Sequence, residues 1–172
     1  MCNPYCFQLV DIATNWNILH LNPLGQVLFY LQGNAREGTV QKGDIMNKEK
    51  ISTTKAPVAI GPYSQAVKAN GCVFTSGQIA LDPKTNRLVE GGISEQTHQV
   101  IRNLSEVLQA AGSSLDQVVK ATVFIKDMDD FATINGIYST YFTSAVLPAR
   151  SVVQVVRLPK DVLIEMEVVA VL

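Results

Sequence analysis

The chain has 172 residues, 47% of them hydrophobic and 17% charged, which excludes a disordered chain and describes one soluble globular domain whose core needs no disulfide or metal staple. Fourteen Lys and Arg against fifteen Asp and Glu leave a net charge of −1, so there is no global field to hold a polyanion and nucleic acid is disfavoured as the main partner. Three cysteines without metal-ligand spacing and only two histidines, His20 and His98, rule out a structural zinc site and favour a reducing compartment. No apolar run approaches the ~20 residues of a membrane-spanning helix.

Residues 1–45 differ from the rest of the chain. They hold Trp16, Cys2 and Cys6, four of the eleven glycines, and only Arg36 and Lys42 as basic residues. They sustain no amphipathic period, and they have neither the basic start and unbroken apolar core of a secretory signal nor the Arg-rich, acid-poor character of a mitochondrial presequence. This stretch reads as an N-terminal arm without a catalytic role, and Met46 as the start of a self-sufficient domain.

From Met46 the pattern becomes regular. VKANGCVF predicts a hairpin with Asn70-Gly71 as its two-residue turn. After the loop LDPKTNRLVEGG, Ser94 is the expected N-cap of a helix whose Ile101, Leu104, Leu108 and Ala111 share one face until Gly112 stops it. Residues 118–126, VVKATVFIK, form an apolar strand. Asp129 or Asp130 then caps a second helix with Phe131, Ile134, Tyr138 and Tyr141 on a common face. ARSVVQVV at 149–156 predicts a third core strand, Pro159-Lys160-Asp161 a turn, and VLIEMEVVAV the last strand. Alternating strands and helices give an α+β class, a mixed sheet carrying two helices on one face.

Alternation along the last strand puts Ile164, Met166, Val168 and Ala170 toward the helices, and Leu163, Glu165, Glu167, Val169 and Val171 on the other side. Arg150, Val152, Gln154 and Val156 share a face of the preceding strand, and we assign them to that same uncovered side. Such a face is too apolar for water and too polar for a core, and a symmetric oligomer with a pocket at its edge resolves the conflict. Each residue also has an ordinary reading. Arg150 can be a solvated or ion-paired strand start, Glu165 and Glu167 a solvated stripe, and Tyr63 either pocket lining or simple packing. Ser76-Gly77 can offer a backbone N–H to an anion, as any strand end does. Cys72 reads as a buried small hydrophobe and His98 as a surface residue. No G-x-S-x-G, P-loop or dinucleotide fingerprint is present.

Four ordered segments carry a family resemblance: IGPYSQAV (60–67), FTSGQIALDPKTN (74–86), VVKATVFIKDMDDFATIN (118–135) and PARSVVQVVRLPKDVLIEMEVVAV (148–171). Together they resemble the reactive intermediate deaminase family, RidA subgroup, also called the YjgF family, over essentially all of 46–172. The resemblance implies a chorismate-mutase-like fold, a homotrimer with pockets at the subunit interfaces, and hydrolysis of 2-iminobutanoate and 2-iminopropanoate to 2-oxo acids and ammonia without cofactor or metal. Motif by motif it implies Arg150 as the carboxylate-binding residue, Glu165 as the residue that positions water, and Tyr63, Asn135, Ser76 and Gly77 as pocket residues. Val152 stands where many such proteins carry cysteine, which removes thiol chemistry from this site but not the hydrolysis.

Two other functions compete. One is a non-catalytic trimer that binds 2-oxo acids as a regulator or acts like a chaperone, against which stands Glu165, an ill-suited neighbour for a bound carboxylate. The other is a ribonuclease or translation inhibitor, against which stands the neutral balance of twelve basic and twelve acidic residues from Met46 onward. The expected compartment is the cytoplasm, with mitochondria as the alternative.

Overall fold

The computed structural model describes residues 48–172 and two short strands before them. These two, β1 (Leu19–Leu21) and β2 (Val27–Phe29), pair antiparallel, and the chain divides into two compact units, Met1–Ile45 and Met46–Leu172. The rest of the arm anticipated over 1–45 lies outside the described residues.

The second unit runs β3 (Glu49–Ile51), β4 (Ala66–Ala69), β5 (Cys72–Thr75), β6 (Gln78–Ile79), α1 (Ile93–Ala110), β7 (Val118–Ile125), α2 (Phe131–Tyr141), β8 (Ala149–Gln154) and β9 (Ile164–Val171). The sheet order is β3-β4-β5-β9-β7-β8, with β6 also on β9, and every pairing is antiparallel except β7 with β8. The parallel pair needs a crossover, which α2 supplies.

Local chemistry sets most of these elements. Asn70 and Gly71 take positive φ angles of 49° and 72° between the paired residues Ala69 and Cys72, the geometry of a tight two-residue hairpin turn. Val100, Ile101, Leu104, Val107 and Leu108 recur at helical spacing on α1 and are fully buried against the sheet; each is worth about 1.5–3 kcal/mol relative to exposure. Gly112, at φ 81°, ends the helix, and Ser113 N–H reaches back to the Leu108 carbonyl at 2.9 Å. The helix start differs from expectation. Gly92, not Ser94, is the N-cap, because Glu95 Oε2 turns back to accept from Gly92 N–H at 2.8 Å and satisfies a donor the helix leaves open. Asp130 is the N-cap residue of α2, as expected, but its side chain makes no capping bond; the carboxylate that caps is Asp127, which accepts from Asp129 N–H at 3.0 Å and starts the short 3₁₀ turn leading into the helix.

On β9 the alternation holds: Ile164, Met166, Val168 and Ala170 are buried beneath the helices, and Glu165, Glu167, Val169 and Val171 are half-buried on the other side. The assignment of β8 does not hold. Val152 pairs with Val123, which pairs with the buried Met166, and Arg150 pairs with Ala121, which pairs with Val168. Arg150, Val152 and Gln154 therefore lie on the helix-covered face, while Ser151 and Val153 share the open face with Glu165, Glu167 and Phe74. Nor is β8 a core strand. It is the sheet edge, and Val156 beyond it is fully exposed. Cys72, opposite Val171, is half-buried on the open face rather than in the core. Phe74 and Val153 stay 47% and 42% exposed there, leaving an apolar sheet surface without a covering layer among the described residues.

Candidate functional site

Two groups of candidate residues form, on opposite faces of the sheet. The first is built on one stripe of α2. Phe131, Asn135, Tyr138 and Phe142 succeed one another at four-, three- and four-residue steps, so they stack along a single helix face. The first residues of β8 run beside that stripe and deliver Arg150. Its Nη2 donates to Asn135 Oδ1 at 2.8 Å, and its guanidinium carbon lies 4.5 Å above the centre of the Tyr138 ring and 5.9 Å from that of Phe131. No carboxylate among the described residues lies within ion-pair distance of Arg150, and Asn135 is its one hydrogen-bond partner there, so its remaining N–H groups form an unclaimed fork. Sequence reasoning paired neither Phe131 nor Tyr138 with the arginine. Their spacing from Asn135 was the available signal.

Tyr138 is 6% exposed, and its hydroxyl is buried without a hydrogen-bond partner among the described residues. Burial raises its pKa, partly opposed by the charge of Arg150. On the next turn Tyr141 takes a partner, the His98 Nδ1 of α1 at 2.9 Å, so His98 joins the two helices rather than facing solvent.

The second group surrounds the end of β5. Glu165 projects from β9 onto the open face, half-buried. Burial first, and the like charge of Glu167 second, push its carboxyl above the ordinary glutamate pKa. Its carboxyl group rests on Gly77 so closely that a Cβ there would overlap it and stand 2.7 Å from Cδ, so any side chain at 77 would have to push the carboxyl aside. Gly77 also lines a cavity of about 300 Å³ whose other walls include Pro57, Val58, Ile60, Tyr63 and Ile79. Tyr63 stands over the turn at Gly61, where φ is 132°, and its hydroxyl accepts from Ile60 N–H at 3.3 Å. Ser76 holds this region together: its hydroxyl donates to the Ser64 carbonyl at 2.7 Å and its N–H to the Gln65 carbonyl at 2.9 Å. Sequence reasoning passed over Gln65, whose buried amide donates to the Thr53, Ala56 and Pro57 carbonyls and accepts from Thr53 N–H, folding the cavity wall into place.

The first group is a cationic fork suited to a planar carboxylate, and the second a half-buried carboxyl beside an apolar cavity. Within one chain they cannot touch the same small molecule, since they lie on opposite faces with β7 between their strands.

The family model described as Endoribonuclease L-PSP matches residues 53–172. The chain belongs to this family. Among L-PSP relatives, a RutC family protein of Synechocystis sp. is 56% identical over 128 residues, covering 74% of this chain and 98% of its own. The mouse protein named 2-iminobutanoate/2-iminopropanoate deaminase is 51% identical over 124 residues, covering 72% and 91%. Among solved structures, E. coli TdcF with bound serine superposes with a TM-score of 0.69 at 45% identity, over 72% of this chain and 98% of that one. The resemblance read from the four motifs thus agrees with the L-PSP family match and with relatives named for RidA-type activity. Among the described residues, no helix is long and apolar enough to cross a membrane.

Proposed function

We propose that the protein hydrolyses 2-imino acids such as 2-iminobutanoate and 2-iminopropanoate, in a site that a second copy of the chain completes. The observation that carries this reading is the guanidinium of Arg150, tethered by Asn135 and without a carboxylate of its own among the described residues. A tethered fork with open donors calls for a carboxylate from outside. The names of relatives at about half identity supply the substrate class, and the serine bound to TdcF carries such a carboxylate.

On this reading Arg150 of one copy holds the substrate carboxylate and Glu165 of a neighbour meets the imine carbon. Water adds to the carbon of the protonated imine as Glu165 takes one of the water's protons, giving a neutral carbinolamine. The same carboxyl returns that proton to nitrogen, the C–N bond breaks as the hydroxyl passes its remaining proton to the Glu165 carboxylate, and a 2-oxo acid and ammonia leave, the ammonia carrying the last proton away as ammonium. Positioning and one proton shuttle suffice, because free imines already react with water. Tyr63, Ser76 and Gly77 shape the cavity, and Asn135 orients the arginine. A homotrimer burying the open face with Phe74, Val153 and Glu165 supplies the neighbour and covers the exposed apolar surface. RNA cleavage is not the reading taken, because the domain from Met46 onward is neutral.

The direct test couples a serine or threonine dehydratase to the purified protein and follows imine decay. Acceleration that persists when residues 1–45 are removed is the expected result, with a trimer mass by light scattering. Decay no faster than in buffer would end the proposal. A subtler expectation concerns Gly77→Ala. The nearest atoms in the way belong to the Glu165 side chain, whose carboxyl end can swing aside, so stability should change by less than about 1 kcal/mol. The displaced carboxyl should cost turnover on the order of 10²-fold, as a shift of about 1 Å does at a reacting centre. A melting curve and an imine-decay rate on the one variant check both halves.

A further inference from the structure

Tyr138 sits directly under the arginine assigned to the substrate. Its ring lies parallel to Phe142, with centroids 4.0 Å apart and planes 12° from each other, while the Arg150 guanidinium carbon lies 4.5 Å from the same ring centre. Two groups that close cannot share one face of a phenol ring, so they take opposite faces. The result is three layers: guanidinium, Tyr138, Phe142. Asn135 accepts a bond from Nη2, and the guanidinium carbon also lies over the Phe131 ring, 5.9 Å from its centre. A guanidinium held over a ring face and tied by a hydrogen bond at one nitrogen has far fewer orientations open to it than either contact alone would leave.

We propose that Tyr138, backed by Phe142, is a positioning residue that holds the Arg150 fork in the plane a substrate carboxylate must share. The inference rests on the carboxylate role given to Arg150 above. The phenol hydroxyl has no part in it. That oxygen is buried without a partner among the described residues, and a buried unsatisfied hydroxyl burdens the fold rather than supporting it. What acts is the negative face of the ring. A long flexible side chain anchored only by Asn135, which is itself exposed, would otherwise sample many orientations.

The test uses the full-length protein and 2-oxobutanoate as a product analogue, with affinity and imine decay measured on each variant. Tyr138→Leu removes the ring and should weaken 2-oxobutanoate binding about 3- to 30-fold, the range of a partly desolvated cation–π contact. Tyr138→Phe keeps the face and should recover binding to within about threefold, with a melting temperature equal or higher. A trifluorinated phenylalanine at 138, close in shape but with a depleted ring face, should bind more weakly than Tyr138→Phe; it also decides the matter if Tyr138→Leu does not fold. In an Arg150→Ala background Tyr138→Leu should add no further loss, because a residue acting through Arg150 has nothing left to position. Full additivity in that cycle, equal loss in Tyr138→Phe and Tyr138→Leu, or equal binding by the fluorinated and plain rings would overturn the inference. If Arg150→Ala alone left 2-oxobutanoate binding intact, the underlying reading of the site would fall instead.

Discussion

Arg150→Lys is expected to lose nearly as much imine hydrolysis as Arg150→Ala. An ammonium keeps the positive charge, but it cannot donate to Asn135 and still offer two parallel N–H groups to a planar carboxylate. Each charge-assisted bond contributes about 1.5–3 kcal/mol, so losing the pair should lower kcat/KM by about 10²–10⁴-fold. Lysine also loses the guanidinium carbon that lies over the Tyr138 ring. Steady-state imine decay and 2-oxobutanoate affinity on both variants check this, and a lysine variant within tenfold of wild type would show that charge alone binds the substrate.

Glu165→Gln should separate binding from turnover. The amide can still hydrogen-bond a water but cannot take and return a proton, so turnover should fall by about 10²–10⁴-fold while 2-oxobutanoate still binds. The pH dependence carries a sign. Glu165 works as a base only when ionised, and burial together with Glu167 raises its pKa, so the acid limb of the rate profile should lie above the usual glutamate range. Glu167→Gln removes the like charge, lowers the Glu165 pKa, and should move that limb to lower pH. An unmoved limb would assign it to another group.

The two variants also test the composite site together. If Arg150 and Glu165 act from different copies, trimers reassembled from an equal mixture of Arg150→Ala and Glu165→Gln chains should contain intact sites, about a quarter of the total for random assembly of a cyclic trimer. Two inactive proteins would then regain activity on mixing. No recovery after verified exchange of chains would place both residues in one copy's site, against the opposite faces seen in the fold.

Much of this was legible in the linear order of residues, for reasons that are local. The helical spacing of Ile101, Leu104 and Leu108, the Asn70-Gly71 turn and the two-residue alternation of β9 depend only on neighbours within one element. The four motifs likewise singled out Arg150, Asn135, Glu165 and Gly77 before any geometry was known. What the chain could not disclose lies between elements. Alternation within β8 shows that Arg150 and Val152 share a side, but which side is set by the hydrogen-bond register of β8 on β7 and of β7 on β9. A slip of one residue would exchange the faces without altering the pattern along the strand. That register, and not composition or spacing, put Arg150 over Tyr138 and away from Glu165, and so decided that one copy holds each half of the candidate site apart.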